Sequence, residues 1–170
     1  MSNDDLCYMI FCGTSPYAIV NSIWASIDIR KLCPSKIVLL ATERQRGLSK
    51  IISCVKNLTE DTLKNNCLIQ IVTISQSDIE ENKKILNDHV KEIKDLNTNF
   101  AIDITPGRKT MSISGLLFVH SLQQTEKSIA SKFLHIIYWH LIDSGKYTTK
   151  WYPEIPRANF HFVDLKEVIQ

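Results

Sequence analysis

The chain has 170 residues, 44% hydrophobic and 22% charged, with 20 basic and 18 acidic side chains and a formal charge of +2. That is enough apolar material for one packed domain over residues 1–170, and the balanced charge argues against a general binder of duplex nucleic acid, so any basic site is local. No apolar run reaches the roughly 20 residues that span a bilayer, so no membrane partner is expected.

The acidic N-terminus carries no signal-peptide pattern. Cys7, Cys12, Cys33, Cys54 and Cys67 are scattered without a C-x-x-C pair. They read as free thiols in a reducing, cytoplasmic setting, with no spacing that supports zinc.

Residues 6–12 form a continuous apolar run, as expected of a strand covered on both faces. Gly13-Thr14-Ser15-Pro16 breaks it, with Ser15 suited to an N-cap and Pro16 to the first helical position. Ile19, Val20, Ile23, Trp24 and Ile27 then recur at helical spacing to about Arg30. Residues 36–42 make a second buried strand, followed by the polar run 43–47 and an amphipathic helix marked by Leu48, Ile51, Ile52, Val55 and Leu58.

Residues 67–74 are a third strand, and Ser77-Asp78-Ile79-Glu80 reads as a capping box opening a third helix with Ile79, Leu86, Val90 and Ile93 inward. Residues 100–104 are a fourth strand. The helix after it, near residues 109–124, is apolar almost all round, which predicts burial in the protein or in a dimer interface. Ser112, Ser114 and Gly115 permit close packing there. Residues 132–142 form a fifth strand ending at the turn 143–145, and residues 159–165 a short sixth strand after the Pro153–Pro156 break.

Strands alternating with helices predict a doubly wound, mostly parallel α/β sheet of order about 3-2-1-4-5, with an extra C-terminal strand and helices on both faces. In that order strands one and four meet where the winding reverses, and ligands bind in the crevice at their carboxyl ends. The loops placed there are 13–16 and 105–110, with the Arg44-Gln45-Arg46 loop alongside. Arg108 and Lys109, at a Pro-Gly turn opening a helix, suit an anion such as phosphate.

Other readings of these loops fail. There is no G-x-G-x-x-G after strand one, Gly107-Arg108-Lys109-Thr110 does not complete a P-loop, and Gly-Thr-Ser-Pro is not a nucleophile elbow. His135 and His140, an odd number of positions apart, face opposite sides of one strand and share no metal unless a bulge intervenes.

Gly13-Thr14-Ser15-Pro16, together with Asp103, Thr105, Gly107, Lys109 and Met111 in a D-x-T-x-G-x-K-x-M arrangement, resembles the CARF (CRISPR-associated Rossmann fold) family. Pro106 stands where many members have Gly. Tyr152-Pro153-Glu154-Ile155-Pro156 and Asp164-Leu165 also resemble the end of such domains. About 30 residues follow strand five, too few for an added effector domain, so the chain is similar to the stand-alone type, the CRISPR-associated ring nucleases.

The resemblance implies a homodimer holding cyclic tetra-adenylate across its two-fold axis, with each ribose 2′-hydroxyl attacking its neighbouring phosphorus and no metal or other cofactor needed. It implies Lys109 as the phosphate-stabilising cation with Arg108 in support, and Ser15 orienting the 2′-hydroxyl. Gly13, Thr14, Pro16, Thr105, Pro106, Gly107, Thr110 and Met111 would contact the ligand, with Gln45 and Arg46 added from their loop position alone. Capping alone also accounts for Ser15, and Asp103 is expected to brace its loop by hydrogen bonds. No histidine is expected at either loop. A non-catalytic sensor of the same ring, acting through a partner protein, is the alternative.

Overall fold

The computed structural model describes residues 5–63, 67–93 and 98–169; residues 1–4 of the N-terminus lie outside them. Six strands, β1 (Leu6–Phe11), β2 (Lys36–Ala41), β3 (Leu68–Thr73), β4 (Asn99–Asp103), β5 (Phe133–Leu141) and β6 (Phe160–Asp164), form one sheet of order β3-β2-β1-β4-β5-β6. The expected 3-2-1-4-5 order is present. The sixth strand, which the sequence left unplaced, pairs antiparallel with β5 at the edge (Leu141 opposite Phe160), whereas the other four pairings are parallel.

The long helices are α1 (Pro16–Arg30), α2 (Leu48–Leu63), α3 (Ile79–Ile93) and α4 (Lys109–Thr125). Three short ones follow, α5 (Lys127–Ala130), α6 (Ser144–Tyr147) and α7 (Leu165–Ile169). Among the described residues no helix is long and apolar enough to cross a membrane.

Strand side chains alternate between two cores, as a period of two dictates. Cys7, Met9 and Phe11 of β1 pack with Leu86 and Val90 of α3 and Met111, Phe118 and Leu122 of α4. Tyr8 and Ile10 face the other way, onto Ile19 and Ile23 of α1 and Ile51 and Val55 of α2. A third cluster built on Trp139, Tyr147, Tyr152 and Phe160 extends the α1 side under β5 and β6.

One local expectation is corrected. The N-cap of α3 is Asp78, whose Oδ1 accepts from the Glu81 amide at 2.9 Å while its own amide donates to Ser75 Oγ at 3.2 Å, so an Asp78 cap replaces the expected Ser77 box. The apolar α4, expected to be buried in the protein or in a dimer interface, buries one face within the chain. Its inner face (Met111, Ser114, Gly115, Phe118) packs so closely that a Cβ on Gly115 would lie 2.7 Å from Phe11 Cε2. Lys109, Ile113, Leu117 and His120 form an exposed stripe down its other side.

His135 and His140 do face opposite sides. The bulge in β5 falls before His135 and so does not lie between them. His135 Nδ1 hydrogen-bonds Asp164 Oδ2 at 2.6 Å, and the His140 ring sits 5.4 Å from that of His161 across the strand pair.

Candidate anion-binding site at the β1/β4 switch point

The parallel pairing of β1 with β4 ends with Ile10 opposite Asp103, which delivers the loops after both strands to one place. They interlock. A Cβ built on Gly13 would lie 1.8 Å from the Pro106 carbonyl oxygen, so that carbonyl occupies the space a side chain would take. Gly13 does not have a positive φ, so the requirement for glycine here is steric rather than conformational. Gln45 binds the same loop from the β2 side, its Nε2 donating to the Gly13 carbonyl at 2.7 Å.

The β4–α4 loop is held from within. Asp103 is fully buried, with its carboxylate accepting from Tyr8 Oη at 2.6 Å, Ser22 Oγ at 2.5 Å and the Thr105 amide at 2.9 Å. Burial pushes Asp103 above the usual carboxylate range, against the pull of the bonds from Ser22, Thr105 and Tyr8. Tyr8 is driven well above a free phenol, first by burial and then by the Asp103 charge. Thr105 turns inward as well, its Oγ1 accepting from the Trp139 amide at 2.8 Å and lying 3.1 Å from Ser22 Oγ. Asp103 and Thr105 are thus supports of the loop, and the Thr105 hydroxyl is occupied by protein partners.

Past the turn, α4 starts at Lys109 with Arg108 at its N-cap position, no side chain capping it and no acidic residue in its first turn. Thr110 Oγ1 donates to the Gln76 carbonyl at 2.8 Å, tying this helix start to the β3–α3 loop.

Two cavities flank the interlocked loops. One, of about 460 Å³, is lined by Gly13, Thr14, Gln45, Met111 and three arginines, Arg44, Arg46 and Arg108. The other, of about 230 Å³, is lined by Ser15, Asn21, Thr105, Thr148 and the end of β5 including His140.

The residues expected to act together are therefore divided. Arg108, Thr14, Gln45, Arg46 and Met111 share the first cavity, whereas Ser15 and Thr105 line the second. Ser15 Oγ accepts the Ala18 amide at 3.3 Å, the bond of an N-cap. Lys109 is exposed at the helix start. A histidine does reach the site, contrary to expectation: His140 contributes to the wall of the cavity beside Ser15.

Arg44, placed by its loop but not singled out as a contact, and Thr42 and Gln76, which the sequence did not mark, all line the arginine-rich cavity. The signal available was their position just past the carboxyl ends of β2 and β3, next to the switch point. Cys12 lines it too, but burial raises its thiol to about 12, which makes it a poor nucleophile.

No family model and no curated protein matches the chain. Among solved structures, the fold is similar to that of Enterococcus italicus Csm6 bound to cyclic hexa-2′-fluoro-hexa-dAMP, with a TM-score of 0.65 and 18% identity over 98% of this chain. Can2 from Sulfobacillus thermosulfidooxidans, in complex with cyclic tetra-adenylate, aligns over 82% of this chain with a TM-score of 0.49 and 15% identity. The chain spans 45% of the length of the first and 32% of the second. At these identities the Csm6 likeness concerns the fold alone: a mixed α/β, Rossmann-like domain with a six-stranded, mostly parallel sheet.

Proposed function

We propose that this chain binds a cyclic oligoadenylate at the β1/β4 switch point and cleaves a ring of four, as a homodimer with one ring across its two-fold axis. The observation that carries the binding reading is the arginine-lined cavity at the uncapped start of α4. Three arginines line it beside a helix start that no side chain caps, where two interlocked loops leave little freedom to reorganise. The motif resemblance at the same two loops, and a fold similar to a cyclic-oligonucleotide-bound structure, support the ligand class.

On this reading Arg108 and Lys109 neutralise the phosphate. A ribose 2′-oxygen forms a bond to the adjacent phosphorus as the bond to the 5′-oxygen breaks, and the 2′ proton is released to solvent while the departing 5′-oxygen takes one up. The products are linear adenylates with 2′,3′-cyclic phosphate and 5′-hydroxyl ends. Ser15 orients the ribose from the neighbouring cavity. The exposed stripe that begins at Lys109 and continues through Ile113 and Leu117 is the proposed two-fold contact, which would set the Lys109 side chains of both subunits beside one ring.

The alternative is a binding module that holds the ring and signals through a partner. The division of Ser15 and Arg108 between two cavities favours it. The deciding experiment is single-turnover incubation with labelled cyclic tetra-adenylate in EDTA. Cleavage to 2′,3′-cyclic phosphate products, slowed roughly 100-fold in Lys109→Ala, supports the enzyme. Tight binding with an intact ring leaves only the sensor, and absence of binding removes both.

A further inference from the structure

A further cavity, of about 490 Å³, opens where β2 and β3 end, walled by Glu43, Arg44, Ile74, Gln76, Glu81 and Ile85. It shares Arg44 and Gln76 with the arginine-lined cavity, so the two run on from one another along the carboxyl edge of the sheet. Their electrostatics differ. The first has three arginines and no carboxylate in its wall, whereas this one has a single arginine and two glutamates.

A phosphate here would meet two like charges, which disfavours it, whereas a neutral base would not. Ile85, partly exposed, offers apolar surface to a flat ring above the buried Ile74, and the volume lies in the range of small-molecule sites. Neither glutamate side chain has a hydrogen-bond or ion-pair partner among the described residues, so both carboxylates are available to a ligand. An exocyclic amine donates well to a carboxylate, while a ring carbonyl in its place is repelled by it.

We propose that this cavity is the base-recognition subsite, where Glu81 accepts a hydrogen bond from the exocyclic amine of an adenine whose phosphate lies in the arginine-lined cavity. Glu81 is the better placed acceptor because it sits on α3 one turn from Ile85, on a rigid element, while Glu43 lies in a loop. The assignment rests on the cyclic oligoadenylate reading and adds to it how the base is chosen.

The test compares binding of cyclic tetra-adenylate with that of cyclic tetra-inosinate, which keeps the backbone, replaces each amine by a carbonyl and turns the adjacent ring N1 from acceptor into an N–H donor. Calorimetry on the full chain is expected to show wild type preferring the adenylate on the order of 10- to 100-fold. Glu81→Gln should narrow that preference to under about threefold, chiefly by improving inosinate binding, because its amide can donate to the carbonyl. Glu60→Gln, at an exposed position of α2 away from both cavities, should keep the wild-type preference. Equal binding of both rings by wild type, or an unchanged preference in Glu81→Gln, overturns the subsite while leaving ring binding standing. Binding of neither ring removes the cyclic oligoadenylate reading and the subsite with it.

Discussion

Replacing Gly13 by alanine is expected to part the two loops that form the crevice. The added Cβ would fall 1.8 Å from the Pro106 carbonyl oxygen and 2.9 Å from its carbon, and real Cβ contacts almost never fall under 3.0 Å. The loops must therefore separate by at least 1.2 Å. Pro106 cannot retreat freely, because its loop is anchored by the Thr105 amide on buried Asp103 and by Ser112 Oγ on the Ile104 carbonyl at 2.7 Å. Forcing a methyl into such a site costs about 3 kcal/mol. With a urea slope of about 2.5 kcal/mol per molar, the unfolding midpoint should fall by roughly 1.2 M at unchanged slope. Thr14→Ala, an exposed neighbour, is the control and should stay within about 0.5 kcal/mol of wild type. A Gly13→Ala midpoint within roughly 0.3 M of wild type would refute the interlock.

Tyr8→Phe removes the 2.6 Å bond to Asp103 and the 2.8 Å contact with Ser26 without changing side-chain shape, and should cost about 2 kcal/mol by urea unfolding. The two buried aspartates should give opposite pH signatures. Asp103 is raised by burial, so its contribution is greatest below the free carboxylate value of 3.8 and is lost as pH climbs through its higher folded value; Asp103→Asn should flatten that decline. At Asp164, burial alone would raise the carboxyl, but bonds from His135 and the Ile136 and Lys166 amides hold it below 3.8. Its stabilisation is present above 3.8 and fades as pH falls through the folded value; Asp164→Asn should remove that acid-side loss in unfolding curves between pH 2 and 5. Charging the α4 stripe with Ile113→Asp and Leu117→Asp should give a monomer by sedimentation if that stripe is the two-fold contact, and an unchanged dimer would refute that placement.

The sheet was legible because buried parallel strands are continuous apolar runs and their crossover helices are amphipathic, so pattern alone gave the strand order and the two loops at its switch point. The sixth strand was visible as a strand, but its direction depends on how residues 142–159 fold back, which no local pattern encodes. Ser77 and Asp78 are both good caps, and the choice was made by the path of the loop, in which Ser75 Oγ accepts the Asp78 amide. Within the site, Gly13 and Arg108 could be placed by loop position. The inward turn of Thr105 could not, since it depends on Trp139 and Ser22 from distant parts of the chain. Nor could the subsite at the end of β3, where Glu43, Gln76 and Glu81 come together from separate loops and a helix start.

The carbonyl that fills the place of a Gly13 side chain has a kinetic consequence. Two loops joined in this way, and clasped by Gln45, form one rigid rim, so a ligand arriving at the crevice spends little of its interaction energy on ordering backbone. Association should then run close to the rate at which a phosphate-bearing molecule finds a basic opening, and fall with added salt. Differences between related ligands would appear in how long each stays bound. Residence time, rather than the speed of capture, is the quantity through which such a rim would sort one ring from another.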